Sequence, residues 1–443
     1  MRKFENLGFR LLNGLKEIIL NKKKLIIFIC IVLTFYFLNG LEFIYYSVLP
    51  RNIISKAFFA VIEPLTLFIT VVVFGTPRGT RKLSKGFYKI GFYNKKYEIP
   101  KLLNKKRQSK ETDIVVYTFY SPYLSLLDWE HAKERIETII GCDILKIDFG
   151  RRNRKIIKVY SADLDKFFCK TQVWKDEYSI DDDCTLMLGV SVFEKVKINL
   201  NNTPHTLLAG GTGSGKTMLF KLYLWQCLQK DLEVYIADFK GGLDFKEIWN
   251  GNCQIITTEK DFLDTLIAIN KEKDRRKNIL KSNSCKDIEE YNSNDKTKKK
   301  LNRIIVACDE VAELLDKTGL KKSTDKEKLE LMDKIEEHIT TIARLGRAFG
   351  IHLLLSTQKP SADIINGQIK TNLGNRICGS ADKILSQMVL ESNSASEKIP
   401  PNSKGVFITQ NEILFKAYLL NDDNFNSLNK NRIDQMPFPF AES

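Results

Sequence analysis

Two long apolar runs lie near the amino terminus, and shorter apolar runs alternate with amphipathic segments along the rest of the chain. The first run covers residues 25–41, and the second covers residues 57–75 with only Glu63-Pro64 interrupting it. Each is close to the roughly 20 residues that a membrane-spanning helix needs. We therefore predict two transmembrane helices within residues 25–75. A signal peptide is the alternative for the first run, but that run is longer than a typical signal core and no small-residue cleavage site follows it.

The distribution of basic residues predicts the orientation of this anchor. Lysines and arginines are frequent in residues 1–24 and again in residues 76–110, whereas the short connection between the two runs carries few. The positive-inside rule then places both termini in the cytoplasm, as in a multi-pass protein of the cell membrane. Glu63 is costly inside a bilayer, so it either contacts another protein segment or lies near the interface.

Residues 111–200 have the pattern of a small α+β domain after a basic linker at residues 76–110. Strands are predicted at residues 113–120, 142–149 and 155–160, and an amphipathic helix at residues 126–140. Arg151 to Arg154 form a basic turn that either contacts DNA or is a solvated hairpin. Apolar and polar residues then largely alternate from 186 to 200, which predicts a half-buried strand pair before the next domain.

From residue 201 onwards, short buried strands end in glycines or polar residues, which is typical of an α/β fold. The strand at residues 206–209 runs into a sequence that fits the phosphate-binding P-loop, and a helix follows. Glycines let backbone N–H groups surround phosphate oxygens at the positive end of that helix. Lys216 would reach the β- and γ-phosphates of ATP, and Thr217 would hold Mg²⁺. The loop residues are Gly210, Gly211, Thr212, Gly213, Ser214, Gly215, Lys216 and Thr217.

Two further strands end in residues that suit phosphate chemistry. Residues 304–308 form an apolar run that ends in Asp309 and Glu310, the Walker B pattern. Asp309 would hold Mg²⁺, and Glu310 would orient or deprotonate the attacking water. Residues 351–358 are predicted as another buried strand that ends in polar residues, and Gln358 at its end is placed to contact the γ-phosphate. Asp238 and Lys240 follow the strand at 233–237, where they either lie near the nucleotide or the neighbouring subunit, or form a structural turn.

Charge and composition limit the classes of binding partner that we expect, but they do not identify one. The net charge is +15, which suits nucleic acid or lipid headgroups, although part of the excess is explained by lysines flanking the membrane runs. Nine cysteines occur without a C-x-x-C pair, so we expect reduced thiols in a cytosolic compartment. The four histidines are far apart in sequence, so we expect no metal site beyond the Mg²⁺ of the nucleotide.

The ordered motifs of the second half resemble those of FtsK/SpoIIIE-family DNA-pumping ATPases. This resemblance covers about half of the chain and implies a RecA-like ATPase domain at residues 201–423, followed by a tail at 424–443. It also implies a homo-oligomer, a hexameric ring, with ATP at subunit interfaces and DNA in the central channel. Lys216, Thr217, Asp309, Glu310 and Gln358 would act within one subunit, and Arg347 would act in trans. The matching blocks are Pro204 to Thr217, Asp238 to Gly242, Asp274 to Arg276, Tyr291-Asn292, Asp309 to Leu314, Arg347 to His352, Thr357 to Ser361, Ile369 to Asn372 and Asn375 to Ile377.

Within that family the chain looks most like TcpA-like coupling proteins of Gram-positive plasmids and integrative conjugative elements. Residues 313–319, 343–347, 378–382 and 385–387 carry this likeness. It implies sequence-independent DNA binding and delivery of relaxase-bound DNA to the channel proteins of a conjugation apparatus. Chromosome-pumping relatives continue into a winged-helix module. This chain ends at Ser443, so we expect no such reader of DNA orientation.

Three other functions remain open at the level of sequence. The first is translocation of double-stranded chromosomal DNA in division or sporulation, against which the missing reader argues. The second is protein export by a type VII-like ATPase, although those chains usually carry tandem motors and this one has a single P-loop. The third is a membrane adaptor that uses the nucleotide as a switch, which has less need of Glu310 and Gln358. The sequence does not distinguish single- from double-stranded DNA.

Overall fold

The computed structural model of the chain divides it into two compact units, Met1–Phe167 and Phe168–Ser443. The structure describes residues 2–46, 53–108, 113–150, 153–239, 241, 244–245, 249, 251–294, 300–359, 365–400, 403–421 and 424. Each unit is described separately below.

Three long helices open the first unit: α1 (Arg2–Leu20), α2 (Lys22–Tyr46) and α3 (Ile53–Phe74). The apolar runs predicted as helices lie within α2 and α3, whereas α1 was not predicted. In the part of the chain that the structure describes, no helix combines the length and apolar character needed to cross a membrane. The two-span anchor therefore stays a prediction that the described helices do not support.

The rest of the first unit is a four-stranded antiparallel sheet with helices on one face. In chain order the elements are α4 (Thr80–Lys89), β1 (Lys101–Arg107), β2 (Val115–Tyr120), α5 (Leu126–His131), α6 (Lys133–Ile140), β3 (Asp143–Gly150) and β4 (Asn153–Ala162). The strand order is β1-β2-β4-β3. The segment predicted as a basic linker thus supplies α4 and an edge strand, because its apolar residues Leu83, Phe87 and Leu102 join the core.

The two faces of this sheet differ in burial. Phe119 of β2 and Ile157 and Val159 of β4 are fully buried (0% exposed) and pack with Trp129 of α5. Their neighbours along the same strands point the other way and are partly exposed. Strand side chains alternate between faces, so the fully buried residues face Trp129 and the partly exposed ones face the opposite side.

A large mixed sheet organises the second unit. Its elements are α7 (Leu164–Cys169, which spans the division), β5 (Gln172–Val173), β6 (Thr185–Ser191), β7 (Lys195–Asn199), β8 (Thr206–Ala209), α8 (Lys216–Gln229), β9 (Glu233–Ala237), β10 (Gln254–Ile256), α9 (Glu259–Ser282), α10 (Ile288–Asn292), β11 (Ile304–Cys308), α11 (Val311–Leu315), α12 (Lys326–Leu345), β12 (Ile351–Thr357), α13 (Gly367–Asn372), β13 (Asn375–Cys378), α14 (Lys383–Leu390), α15 (Ser394–Lys398), β14 (Val406–Thr409) and β15 (Leu414–Leu419). Two short 3-10 helices, Asp176–Tyr178 and Gly346–Phe349, complete the described elements.

Within the described residues the sheet has eleven strands in the order β10-β9-β11-β12-β8-β13-β14-β15-β6-β7, with β5 beside β15. The strands from β10 to β13 are parallel, and those from β14 to β7 pair antiparallel. The central strands β9, β11 and β12 are buried along their whole length, as expected for parallel strands covered on both faces. Their carboxyl ends therefore meet at one edge.

The structure places β6 and β7 in the second unit, although their residues were predicted as part of a domain ending at residue 200. β6 pairs with β15, with Phe415 opposite Ser191. The side chain of Gln226 in α8 also bonds the backbone of Met187 in both directions, at 2.8 Å each. Contacts with α8, 39 positions away, and with β15, more than 200 positions away, fix these strands, so the local alternation gave no sign of their place in the sheet.

A buried pair of histidines lies at the amino-terminal end of the central strands. His205 Nδ1 accepts a hydrogen bond from the backbone N–H of Leu353 at 3.0 Å, and His352 Nδ1 lies 3.0 Å from the carbonyl oxygen of Pro204. Burial lowers the pKa of His205 to about 4. Burial, with the nearby Arg303 cation, also lowers the pKa of His352 well below its usual range. Both rings are therefore neutral in the folded protein at neutral pH.

We expect these histidines to make the second unit sensitive to mild acid. The unfolded chain takes up protons near pH 6.5 while the folded rings stay neutral, so the free energy of unfolding falls as pH drops from about 6.5 towards 4. Each histidine contributes up to about 1.4 kcal/mol per pH unit in that range. Denaturant unfolding at pH 7.5 and pH 5.5 should show a smaller loss for His205→Gln than for wild type. His131→Gln, the same change at an exposed site, should keep the wild-type loss; equal losses in all three proteins would contradict the argument.

Candidate functional site

The glycine-rich loop connects the buried strand β8 to the first turn of α8. Gly210, Gly213 and Gly215 have φ angles of 158°, 79° and 95°, which side chains rarely allow. A Cβ at Gly215 would also lie 2.9 Å from the backbone nitrogen of Gly405. The loop therefore needs glycine both for its backbone conformation and for the close approach of a neighbouring segment.

Two distant segments hold this loop in place through backbone hydrogen bonds. The N–H of Gly211 donates to the carbonyl oxygen of Ser380 at 2.8 Å, and the N–H of Gly405 donates to the carbonyl oxygen of Ser214 at 2.8 Å. Sequence analysis assigned no role to either segment. Gly405 has a φ of 70°, but a lone glycine between two strands first suggests a turn, so no local signal linked it to the loop.

Lys216 is buried at the start of α8, only 5% exposed. Its ammonium donates to Ser356 Oγ at 2.8 Å and to the carbonyl oxygen of Asp309 at 3.1 Å. It also lies 3.6 Å from Glu310 Oε2. These are the acceptors that a buried cation needs, and three neighbouring strands, β8, β12 and β11, bring them together.

Glu310 is held by the end of β12. One carboxylate oxygen accepts a hydrogen bond from Thr357 Oγ1 at 2.7 Å, and the carboxylate also accepts from the backbone N–H of Gln358 at 3.1 and 3.2 Å. Gln358 Oε1 in turn accepts a hydrogen bond from Thr212 Oγ1 at 3.0 Å. A continuous path of hydrogen bonds thus joins the P-loop to the residue predicted to activate water. Ser356 and Thr357 were missed, since a strand ending in Ser-Thr has no specific signature.

The loop residues also suit a Mg²⁺–nucleotide. Backbone N–H groups at the start of the 14-residue helix α8 and the nearby lysine favour a phosphate. Ser214 Oγ is buried without a hydrogen-bond partner among the described residues, so it is available to such a ligand. Thr217, half-buried at the first turn, and Asp309, 1% exposed, supply the oxygen atoms that Mg²⁺ prefers. No group of three or more His, Cys, Asp or Glu residues that could hold a metal ion occurs in the described part of the chain.

Arg347 lies at the opposite end of the sheet. It is exposed on the 3-10 helix Gly346–Phe349, directly before β12, whereas Gln358 directly follows that strand. The seven residues of β12 span roughly 23 Å at about 3.3 Å per residue. The structure therefore does not bring Arg347 to the P-loop of its own chain, which is compatible with a role in trans.

A buried arginine, which the sequence named only as part of a family block, supports the turn carrying Arg347. Arg276 of α9 is 2% exposed and donates from Nη1 to the carbonyl oxygen of Phe349 at 2.9 Å. Its Nε also donates to Glu272 Oε1 at 2.8 Å. Arg347 lines an open cleft of about 580 Å³ together with Arg344 and Lys286, and the carboxylates Asp287 and Glu289 line the same cleft.

Some predicted positions do not enter the described site. Asp238 is buried at the end of β9, while Lys240 lies outside the described residues. Arg151 and Arg152 of the predicted basic turn also lie outside the described residues, as do residues 425–443 of the predicted tail.

The strand–loop–helix geometry, the buried lysine and the acidic pair two strands away define a P-loop ATPase. A model of the FtsK/SpoIIIE family matches residues 174–362. Among solved structures, the pCW3 conjugation coupling protein TcpA, in a monomer form with ATPγS, is 31% identical with a TM-score of 0.57. That match covers 79% of this chain and 98% of the other. The chain belongs to the FtsK/SpoIIIE family.

Proteins named DNA translocase FtsK are also similar to this chain. The protein from Clostridium acetobutylicum is 27% identical over 286 residues, which cover 58% of this chain and 35% of that protein. The protein from Campylobacter jejuni is 31% identical over 269 residues, which cover 58% of this chain and 26% of that protein. The chain thus spans about a third or less of the length of these relatives.

The contact between Gly215 and Gly405 gives a test of the loop. Gly213→Ala costs about 1–2 kcal/mol of backbone strain, because an L-residue is forced to a positive φ angle. It causes no clash, since no atom lies within 4 Å of the new Cβ. Gly215→Ala adds a clash with the backbone of Gly405. We expect Gly215→Ala to weaken binding of a non-hydrolysable ATP analogue, measured by calorimetry, at least about tenfold more than Gly213→Ala does. Equal losses in the two variants would show that the close approach has no effect.

Proposed function

We propose that this protein is an ATP-driven DNA translocase that acts as a coupling protein in conjugative transfer, delivering relaxase-bound DNA to the export channel. The observation that carries the proposal is the linked set of Thr212, Gln358, Glu310 and Lys216, which is what a hydrolysing motor requires. The conjugative role is supported by the likeness to TcpA, which extends over 98% of that chain. An anchored chain, with both termini in the cytoplasm at the cell membrane, is part of the proposal.

The site residues would divide the work of ATP hydrolysis between them. Lys216 would exchange its contacts with Ser356 and the Asp309 carbonyl for phosphate oxygens. Thr217 and Asp309 would hold Mg²⁺, which neutralises charge on the phosphates when bound. Glu310, already fixed by Thr357, would orient a water molecule and accept its proton. Gln358 is hydrogen-bonded to both the P-loop and Glu310, so loss of the terminal phosphate would change the positions of both.

Arg347 would complete the site of a neighbouring copy. Its position about one strand length from its own P-loop requires a homo-oligomer for any catalytic role, and a ring is the closed arrangement that head-to-tail contacts generate. We propose a hexamer. A net charge of +15 would favour binding to the phosphates of DNA whatever the base sequence, and such binding weakens as salt concentration rises.

ATP turnover by the purified full chain tests the motor. We expect turnover to rise when DNA is added, because translocation couples the two processes. Glu310→Gln should lower turnover at least about a hundredfold, the lower range for losing a general base. Lys216→Ala should also lower turnover, because it removes the ammonium group that reaches the phosphates. Glu310→Gln should still bind ATP, since the carboxamide keeps the shape of the side chain and Lys216 remains. Turnover is measured by phosphate release with no DNA, single-stranded DNA and duplex DNA.

The outcomes separate the alternatives. Stimulation that disappears in both variants supports a DNA motor. Turnover that is the same with and without DNA would point to another cargo, such as an exported protein. ATP binding without turnover, in a protein shown to assemble, would point to a switch.

Mixing of variants tests the role of Arg347. Lys216→Ala and Arg347→Ala proteins should each be inactive alone, because each leaves every interface incomplete. If subunits mix at random, about one interface in four has an intact Lys216 beside an intact Arg347, so turnover should recover to about a quarter of wild type. The measurement is phosphate release at a fixed total protein concentration.

Arg344→Ala is the matched control, since Arg344 is exposed on the same surface one turn earlier. It should lose much less turnover than Arg347→Ala. No recovery on mixing, with co-assembly verified by crosslinking, would rule out the trans role.

A further inference from the structure

The face of the four-stranded sheet opposite helices α4 to α6 has a composition that the motor does not explain. Strand register defines this outer face. Val116 of β2 lies opposite Tyr160 of β4, Thr118 opposite Lys158, and Tyr120 opposite Ile156. Directly opposed residues point to the same side of a sheet, so these pairs share one surface. The residues between them in sequence, such as Phe119 and Ile157, are fully buried against the helices.

Two tyrosines and four lysines stand on this outer face. Lys101 of β1 is opposite Tyr120, and Lys106 is opposite Val116. Lys146 of β3 is opposite Tyr160. The three lysines on the edge strands are exposed, and Tyr120, Tyr160 and Lys158 are partly exposed even with the whole chain present. The tyrosines sit on adjacent central strands about four positions apart, roughly 14 Å at 3.4 Å per residue.

The charge on this surface is unbalanced. The acidic residues on the face among the described positions are Asp148, opposite Lys158, and Asp143, opposite Ala162. Asp148 lies 3.0 Å from Lys146. Both of these side chains are about half exposed, at 58% and 46%, so water screens their attraction. The face therefore keeps an excess of positive charge beside two aromatic rings.

We propose that the outer face binds single-stranded DNA. Lysines would contact phosphates, and the rings of Tyr120 and Tyr160 would stack on two separate bases. Stacking of this kind needs bases that are free of a partner strand, and it works for any base because each has a π-face. A duplex keeps its bases stacked inside, so this surface should prefer single strands. Binding at this face does not require ATP hydrolysis, so this proposal can be tested independently of the proposed motor activity.

Binding of a fluorescent single-stranded oligonucleotide to the full chain, without nucleotide, measures the site. Tyr120→Val with Tyr160→Val keeps strand-favouring side chains but removes both rings. We expect at least about tenfold weaker binding, the lower range for the loss of two stacked bases. Lys146→Gln with Lys158→Gln should instead reduce the slope of log affinity against log salt by about 1.4, since each phosphate contact on a single strand contributes about 0.7.

The matched control lies on α4, whose buried residues pack against the other side of the sheet. Lys82→Gln, Lys85→Gln and Tyr88→Val remove similar exposed groups there and should leave the affinity and the salt slope unchanged. Melting temperatures of all variants establish that each is folded. Wild-type affinity in the folded tyrosine variant overturns the proposal.

Photocrosslinking of the wild-type chain tests the same surface without any mutation. A halogenated single strand should crosslink to peptides containing Tyr120 or Tyr160, and duplex DNA should not compete for these crosslinks at equal concentration. Crosslinks confined to the second unit would overturn the proposal. If the tyrosine and lysine variants keep DNA binding but lose sedimentation with vesicles of anionic phospholipid, the face is a membrane contact and the proposal is wrong.

Discussion

The buried ammonium group of Lys216 sets the strongest constraint on the second unit. A charge at 5% exposure is tolerated only with acceptors in place, and these come from the ends of β11 and β12. Both strands must therefore end close to the end of β8. The parallel register does this, since Thr357 pairs with Ala209, and Cys308 pairs with Leu355 two residues earlier along β12. The burial of the Lys216 ammonium group therefore depends on the strand register of the sheet.

The sequence was informative where a residue type is required by local backbone geometry. Gly210, Gly213 and Gly215 take φ angles that favour glycine, and an apolar run ending in Asp309-Glu310 can be recognised without knowing its neighbours. These features predicted the P-loop and the buried strand that ends in the acidic pair. Family motifs added Gln358, whose bond to Thr212 spans 146 positions and has no local pattern.

Other features depend on partners that are remote in sequence. The alternation of residues 186–200 predicted strands but not their place beside β15, because nothing local distinguishes an edge pair of a small domain from strands in the motor sheet. The contacts of Ser380 and Gly405 with the P-loop likewise arise from strands β13 and β14, far along the chain. In the first unit, apolar residues in a lysine-rich segment were interpreted as a linker, although Leu83 and Phe87 complete its core.

The contact of Gly405 with the P-loop has a mechanical consequence. The carbonyl oxygen of Ser214 accepts from the N–H of Gly405, whose own carbonyl oxygen accepts from Ala417 of β15, each at 2.8 Å. Two residues further along β15, the carbonyl oxygen of Leu419 accepts from the N–H of Trp174 at 2.9 Å. Backbone hydrogen bonds and a short stretch of β15 therefore connect the phosphate loop to Trp174, the residue that directly follows β5. A shift of the loop must either break these hydrogen bonds or move β15 with it, so a movement at the phosphate site is passed on to the antiparallel part of the sheet.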